Sequence, residues 1–415
     1  MYHVSTTGLP NAWHTPCPSD VVDRLGSFIS GVKNNDLAAF SLCLQEADLP
    51  ALRELADEIA TRYRHVVFAG MGGSALGGRL LTDFMGAGAF HTPHLHFVDN
   101  DDPVTLARLY AHLPLSDTLF IAISKSGTTA ETLAATLTYV DELHHAGLSV
   151  KDHLMLLTEN TDNPLRKLAA AYDLRTLKHN PKVGGRFSVF SEVGLLPAML
   201  AGMDARALRQ GARKVLEAFM RNPAESAPAT FAHMAVLAAD AGYKTEVLMP
   251  YSDRLSKLGP WWAQLWAESL GKNGKGTTPF AALGATDQHS VLQLFADGPD
   301  DKFYTFVLPD YVGSGAPISE LLAGKVGLPH LGGITVGDLM TAQGKGTVAS
   351  LQGFGRPVRV IETPPLDEFV LGTLLMHFML TTVVAAQLWE INPFDQPAVE
   401  DGKRRTLAIL KAGDI

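Results

Sequence analysis

From residue 65 onward the chain alternates between short apolar runs and helix-length segments, and this rhythm limits the fold more than any other feature. Strand-like segments at 65–69, 94–99, 119–123 and 153–159 are separated by helical stretches at 75–85, 103–113 and 129–146. Strands spaced this way cannot pair as hairpins; each returns through a crossover, which makes the strands parallel and covers the sheet with helices. Helical sequence then spans roughly 195–241. The rhythm restarts with a strand at 245–250, a helix at 259–271 and strands at 303–308 and 358–362. No residue-level repeat links the halves, only a shared order of elements. The expected fold is α/β, with two doubly wound parallel-sheet domains at 49–225 and 226–385. Residues 1–48, with scattered Pro, Gly and Asn and one plausible helix, read as an N-terminal helical arm or cap, and 386–415 as a C-terminal helical tail.

Composition narrows the function classes. At 415 residues and 46% hydrophobic, the chain can bury large cores. A net charge of −9 leaves no basic footprint for nucleic acid or anionic lipid. Cys17 and Cys43 have no metal-type spacing, which argues against a zinc site or a disulfide framework and points to the cytoplasm, as does an N-terminus without a basic and apolar leader. The uncharged stretch 369–389 approaches the length of a membrane span. It carries Thr373, His377, Thr381, Thr382 and Gln387 and has no basic flank, so it reads as a buried helix.

Ligands on doubly wound sheets bind beyond the carboxyl ends of the strands, and two loops fall there. The first, Gly-Met-Gly-Gly-Ser-Ala-Leu-Gly-Gly at 70–78, departs from a strict dinucleotide fingerprint because Ala75 takes the last glycine's place and no acidic residue ends the next strand before Asp99. Phosphate-sugar contact or tight strand–helix packing suits it better than nicotinamide. The second, Ser-Lys-Ser-Gly-Thr-Thr-Ala-Glu-Thr at 124–132, joins a strand directly to a helix. Free amides and the positive helix end converge there on one point, so it reads as a phosphate seat that needs no metal. Ser124, Ser126, Thr129 and Thr132 add hydroxyl donors, the last two on one face of the first turn. The same residues could simply cap the helix, and the loop by itself leaves both readings open.

Four further segments could carry chemistry. Arg186 follows Gly184-Gly185, where a guanidinium could stabilise a developing oxyanion or form an ordinary ion pair. Gln264 and Glu268 lie four apart on a helix among Trp261, Trp262, Leu265, Trp266 and Leu270. A carboxylate partly desolvated in that setting suits a general base, although a glutamate exposed on an amphipathic helix is the commoner case. His289, in Asp-Gln-His-Ser at 287–290, could move protons near neutral pH but is one of fifteen histidines. Asn-Pro-Phe-Asp-Gln-Pro at 392–397 is a rigid turn that delivers Lys403 on the next helix, although a solvated lysine beside a turn is the commoner case for such spacing.

Taken in this order, the segments closely resemble the glucose-6-phosphate isomerase family, also called phosphoglucose isomerase. The resemblance runs from about Gly70 to Lys403 and is most specific at 183–188, at 264–272 with 287–290, and at 392–403. Pro-Tyr-Ser-Asp-Arg-Leu at 250–255 is similar to the bacterial branch. The resemblance implies two domains of the sugar-isomerase type and reversible conversion of glucose 6-phosphate to fructose 6-phosphate by ring opening and a cis-enediol proton transfer. It implies Glu268 as the base between C1 and C2, Arg186 beside the enediolate, and His289 and Lys403 in ring opening. Gly73, Ser74, Ser124, Lys125, Ser126, Thr129 and Thr132 would hold the phosphate, and Gln264 and Gln396 the hydroxyls. It also implies a homodimer in which the histidine reaches across from the partner, with neither metal nor organic cofactor. Ala398 stands where the family usually has glycine, and the chain is shorter than most members. Activity on mannose 6-phosphate as well, or a sugar-phosphate-binding regulator, are the alternatives; the second calls for a basic DNA-binding segment that 1–48 lacks.

Overall fold

The computed structural model describes residues 2–86 and 93–413. Among these residues ten strands occur: β1 (His3–Ser5), β2 (His65–Ala69), β3 (His94–Val98), β4 (Thr118–Ile123), β5 (Leu154–Thr158), β6 (Thr176–Lys178), β7 (Thr245–Pro250), β8 (Thr278–Ala281), β9 (Lys302–Pro309) and β10 (Val358–Thr363). They make two five-stranded sheets. The first, in the order β3-β2-β4-β5-β6, is parallel throughout. Its central strand β4 is buried along its whole length, as the unbroken apolar run requires of a strand covered on both faces. The second runs β1-β10-β9-β7-β8, with β7 to β10 parallel.

The second sheet is not purely parallel. The N-terminal arm contributes β1, which pairs antiparallel with β10 through His3 opposite Glu362, in addition to the helix Ser19–Lys33. Three residues at a sheet edge carry too short a pattern to be read as a strand. Strands β6 and β8 were hidden for a related reason: they are short and neither has a buried residue, and Pro279 in β8 marks an edge position.

Between the sheets lies a layer of helices that gives both halves one continuous core. Val66, Ile121 and Leu157 of the first sheet join Leu248, Phe303, Val307 and Ile361 of the second in a single buried cluster. At its centre is helix Glu368–Leu388, apolar enough to span a membrane but 94% buried over its most apolar window. It packs on Ala205–Arg221 so closely that a β-carbon on Gly372 would stand 1.9 Å from the Leu208 carbonyl oxygen. His377 within it is fully buried and meets the Tyr2 hydroxyl at 2.7 Å.

This architecture places the two candidate loops side by side. Ala69 pairs with Ala122, so β2 and β4 end level with each other, and the sheet order reverses between them. That reversal is the switch point at which open α/β sheets take ligands.

Candidate active site

The loop after β2 tightens into a short turn at Gly72–Ser74 and leads into helix Leu76–Phe84. A β-carbon on Gly70 would lie 2.8 Å from the Ser74 β-carbon and 3.0 Å from the Ile123 carbonyl oxygen, so this turn folds back against the end of β4. Gly73 is packed backbone to backbone on Gly185, and its carbonyl accepts a hydrogen bond from Ser188 Oγ at 3.0 Å. The glycine loop thereby holds the turn Gly185–Phe190 that carries Arg186.

Arg186 is buried, and every nitrogen of its guanidinium is engaged. Nε donates to Ser269 Oγ at 2.8 Å, Nη1 to Gln396 Oε1 at 3.0 Å, and Nη2 to the carbonyls of Pro393 and Asp395 at 2.6 and 3.0 Å. Nη1 also lies 3.3 Å from Glu268 Oε1. Burial pulls the guanidinium pKa below its ordinary value, while the carboxylates of Glu268 and Asp395 oppose that shift. A planar cation fixed on five partners is aimed rather than mobile, which a lysine could not reproduce.

Glu268 stands on helix Leu258–Leu270, whose other face buries Trp261, Trp262, Leu265 and Trp266. Gln264, one turn earlier on the same face, donates from Nε2 to Glu268 Oε2 at 3.1 Å. Its other amide atom, Oε1, is buried without a partner among the described residues. Gly72, at φ +53°, brings the glycine loop onto this side chain, since a β-carbon there would stand 2.8 Å from Gln264 Nε2. Glu268 also lines an open cavity of about 540 Å³ between the end of its helix and residues 396–399. Lys272 closes one wall through an ion pair to Asp395 at 2.7 Å and a hydrogen bond to the Asn392 carbonyl.

The hydroxyl loop after β4 is built as a small network. Ser124 Oγ meets Thr129 Oγ1 at 2.8 Å and accepts from the Gly127 amide at 3.1 Å, while Ser126 Oγ meets Thr128 Oγ1 at 2.8 Å. Gly127 has φ +67°, and Asn163 lies where its β-carbon would go. Thr129 is the residue before helix Ala130–His145, yet no side chain caps that helix. Its first amides therefore remain free to meet an anion. Thr132 is 2% exposed and its hydroxyl has no partner among the described residues. Lys125 turns aside, donating to the Pro181 carbonyl at 2.7 Å with Glu159 at 3.6 Å.

Residues 55–303 match the family model described as phosphoglucose isomerase. The chain is 39% identical over 376 residues to a glucose-6-phosphate isomerase from Rubrobacter xylanophilus, covering 88% of this chain and 85% of that one. It is 38% identical to a glucose-6-phosphate isomerase from Thermus thermophilus, with 86% and 87% covered. The chain belongs to the phosphoglucose isomerase family. Family membership makes it an aldose–ketose isomerase. A crystal structure of a hypothetical protein from Thermus thermophilus superposes with a TM-score of 0.85 at 33% identity, over 99% of this chain and 100% of that one. A glucose-6-phosphate isomerase from Chlamydia trachomatis, at 24% identity and a TM-score of 0.77 over 88% of this chain and 73% of that one, shares the fold.

Within this family fold, a single chain brings together Gly73, Arg186, Gln264, Glu268 and Gln396, with Ser74 and the hydroxyl loop at the neighbouring strand ends. It does not bring His289 or Lys403 to them. His289 is exposed on the short helix Thr286–Ser290. Lys403 is exposed on helix Val399–Ala412 and paired with Glu400 at 2.7 Å. Sequence reasoning also missed Ser269 and the carbonyls of Pro393 and Asp395, which fix the arginine. Their partner lies 83 to 209 residues away, and backbone acceptors leave no trace in side-chain identity.

Proposed function

We propose that this protein interconverts glucose 6-phosphate and fructose 6-phosphate, with Glu268 carrying the proton between C2 and C1. The observation that carries the assignment of the base is the Glu268–Arg186 pair at 3.3 Å, beside the unpartnered Gln264 Oε1. A carboxylate and an immobilised cation side by side are what an enediol shift needs: one removes the proton from carbon while the other faces the oxygen on which charge develops. The charge is met by a guanidinium already in position, so little reorganisation falls within the reaction step. Gln264 and Gln396 would orient the sugar hydroxyls. The sugar phosphate would rest on Gly73, Ser74 and the loop 124–132, against the uncapped amides of helix Ala130–His145 and the free Thr132 hydroxyl.

Ring opening falls to His289 and Lys403 in this reading, with His289 supplied by a second copy in a cytoplasmic homodimer. Two facts support an intersubunit role. Both residues are exposed, and among the described residues neither side chain makes a hydrogen bond or ion pair with Glu268 or Arg186. Helix Val399–Ala412 buries none of its residues, yet presents Val399, Leu407, Ile409 and Leu410 to solvent. An amphipathic helix of fourteen residues needs a packing surface to be stable.

The decisive experiment is Glu268→Gln, which keeps the side chain's shape and a hydrogen-bonding oxygen but removes the base. Turnover should fall about a thousandfold, the scale of a general base, with sugar-phosphate binding retained. Near-normal turnover would show that the base lies elsewhere.

A further inference from the structure

The opposite end of the first sheet carries a second group of chemistry-bearing side chains. His65 opens β2 and lies in register with His94, which opens β3; His96, two residues further on, points to the same face. The ring centroids of His65 and His94 are 5.1 Å apart, and those of His65 and His96 are 5.4 Å apart. His65 Nδ1 and His96 Nε2 approach to 3.1 Å. His65 and His96 are half-buried, whereas His94 is exposed, so the cluster opens to water on one side.

We propose that His65, His94 and His96 form a binding site for a first-row divalent cation of the zinc class. Imidazole nitrogens bind zinc at about 2.0–2.1 Å, so two of them at a tetrahedral angle stand about 3.3 Å apart, with their ring centroids about 5 Å apart. The His65–His96 nitrogen contact and both centroid separations already match those spacings. With no cation bound, the His65–His96 contact holds one shared proton; a cation takes its place and accepts a lone pair from each ring. Neutral imidazole is the ligand form. Asp117 and Arg64 also face His65, the carboxylate favouring a cation and the guanidinium opposing it. Among the described residues no three ligand groups already converge on one metal-sized point, so the site closes by side-chain rotation on binding, with water in the fourth position. Neutral histidines without thiolates or a carboxylate in the set favour zinc, cobalt, nickel or copper over magnesium or calcium. A bound cation would tie edge strand β3 to β2, roughly 13 Å along β2 from the glycine loop at four residues' rise.

The test is a titration of the untagged, chelator-treated protein with Co²⁺, read by visible absorption, and with Zn²⁺, read by thermal melting. A saturable cobalt band at one equivalent per chain, displaced by Zn²⁺, and a melting point raised by Zn²⁺ but not by Mg²⁺ are the expected results. His94→Gln, at an exposed position, should weaken Co²⁺ binding at least tenfold, on the scale of lost metal contacts. Its turnover without metal should equal that of the parent. His96→Gln provides the same comparison from a half-buried ligand. Absence of the band, or unchanged Co²⁺ affinity in both folded variants, would overturn the proposal.

Discussion

Replacing Gly73 by alanine tests whether the glycine loop positions Arg186. A β-carbon there would stand 2.2 Å from the Gly185 carbonyl carbon, 2.4 Å from its oxygen and 2.5 Å from the Arg186 nitrogen. Ordinary contact begins at 3.4 Å, so the shortest of these must lengthen by the 1.2 Å between 2.2 and 3.4. Neither side can yield through a flexible side chain: both are backbone, and the Gly73 carbonyl is also held by Ser188. If the two segments share the movement, Arg186 shifts by more than half an ångström against Glu268, Ser269 and Gln396. A misplacement of about 1 Å costs on the order of 10²-fold in rate, so kcat/KM should fall roughly 10- to 100-fold. Overpacking of this kind costs about 1–3 kcal/mol, which a domain with about 5–15 kcal/mol of stability survives.

The assay is coupled turnover of fructose 6-phosphate, with a thermal melt of the same preparation. Gly346→Ala is the control, because a β-carbon there meets nothing within 4 Å and the position lies inside helix Val336–Gly353. It should keep full turnover and gain a little stability from helix propensity. A folded Gly73→Ala protein with the parent's kcat/KM would refute the reasoning. So would a loss of activity that only tracks the fraction unfolded at the assay temperature.

Thr132→Val removes a buried hydroxyl with no protein partner; KM should rise roughly tenfold, the worth of one hydrogen bond to a charged group, while a denaturant melt shows no loss of stability. Unchanged KM would remove Thr132 from the phosphate seat. Mixing and refolding inactive Glu268→Gln with inactive His289→Ala subunits should restore about a quarter of parental activity, since half the dimers are mixed and each has one intact site. No recovery would exclude sharing of His289. Burial lowers the His377 pKa from 6.5 to about 3, so the unfolded chain binds that proton first. Its contribution to stability is complete above pH 6.5 and is lost as pH falls toward 3, by up to about 1.4 kcal/mol per pH unit. His377→Gln should flatten this acid limb in denaturant melts across pH; a limb parallel to the parent's would contradict the assignment.

What could be read directly from residues follows from how local each signal is. The strands β2 and β4 are nearly continuous apolar runs bounded by turn residues, and both candidate loops could be placed because they follow such runs. The shared face of Gln264 and Glu268 needed only a four-residue spacing, and the hydrogen bond between them realises it. The buried helix Glu368–Leu388 was legible through its polar minority, since His377 and the threonines are misplaced in lipid but satisfied or tolerated within a core. Strand β1 was not legible, because its only determinant is the edge that β10 leaves open, with Ser5 paired to Val360 and His3 to Glu362.

The site divides along the same line, and the division bears on mechanism. Gly73, Arg186, Gln264, Glu268 and Gln396 converge within one chain through contacts between elements that the core holds rigid. The groups assigned to proton transfer at carbon therefore sit where preorganisation is strongest. His289 and Lys403 lie on short or unpacked helices at the surface, where among the described residues the His289 ring has no hydrogen bond and Lys403 has only its local pair with Glu400. If they open the sugar ring, their geometry must be set by whatever covers those helices. Ring opening would then be more sensitive to subunit dissociation than the proton transfer at carbon. Dilution should accordingly depress turnover of the cyclic sugar before it depresses proton exchange at C1 of an open-chain analogue. Equal loss of both on dilution would mean that the second copy supports the whole site rather than its ring-opening half.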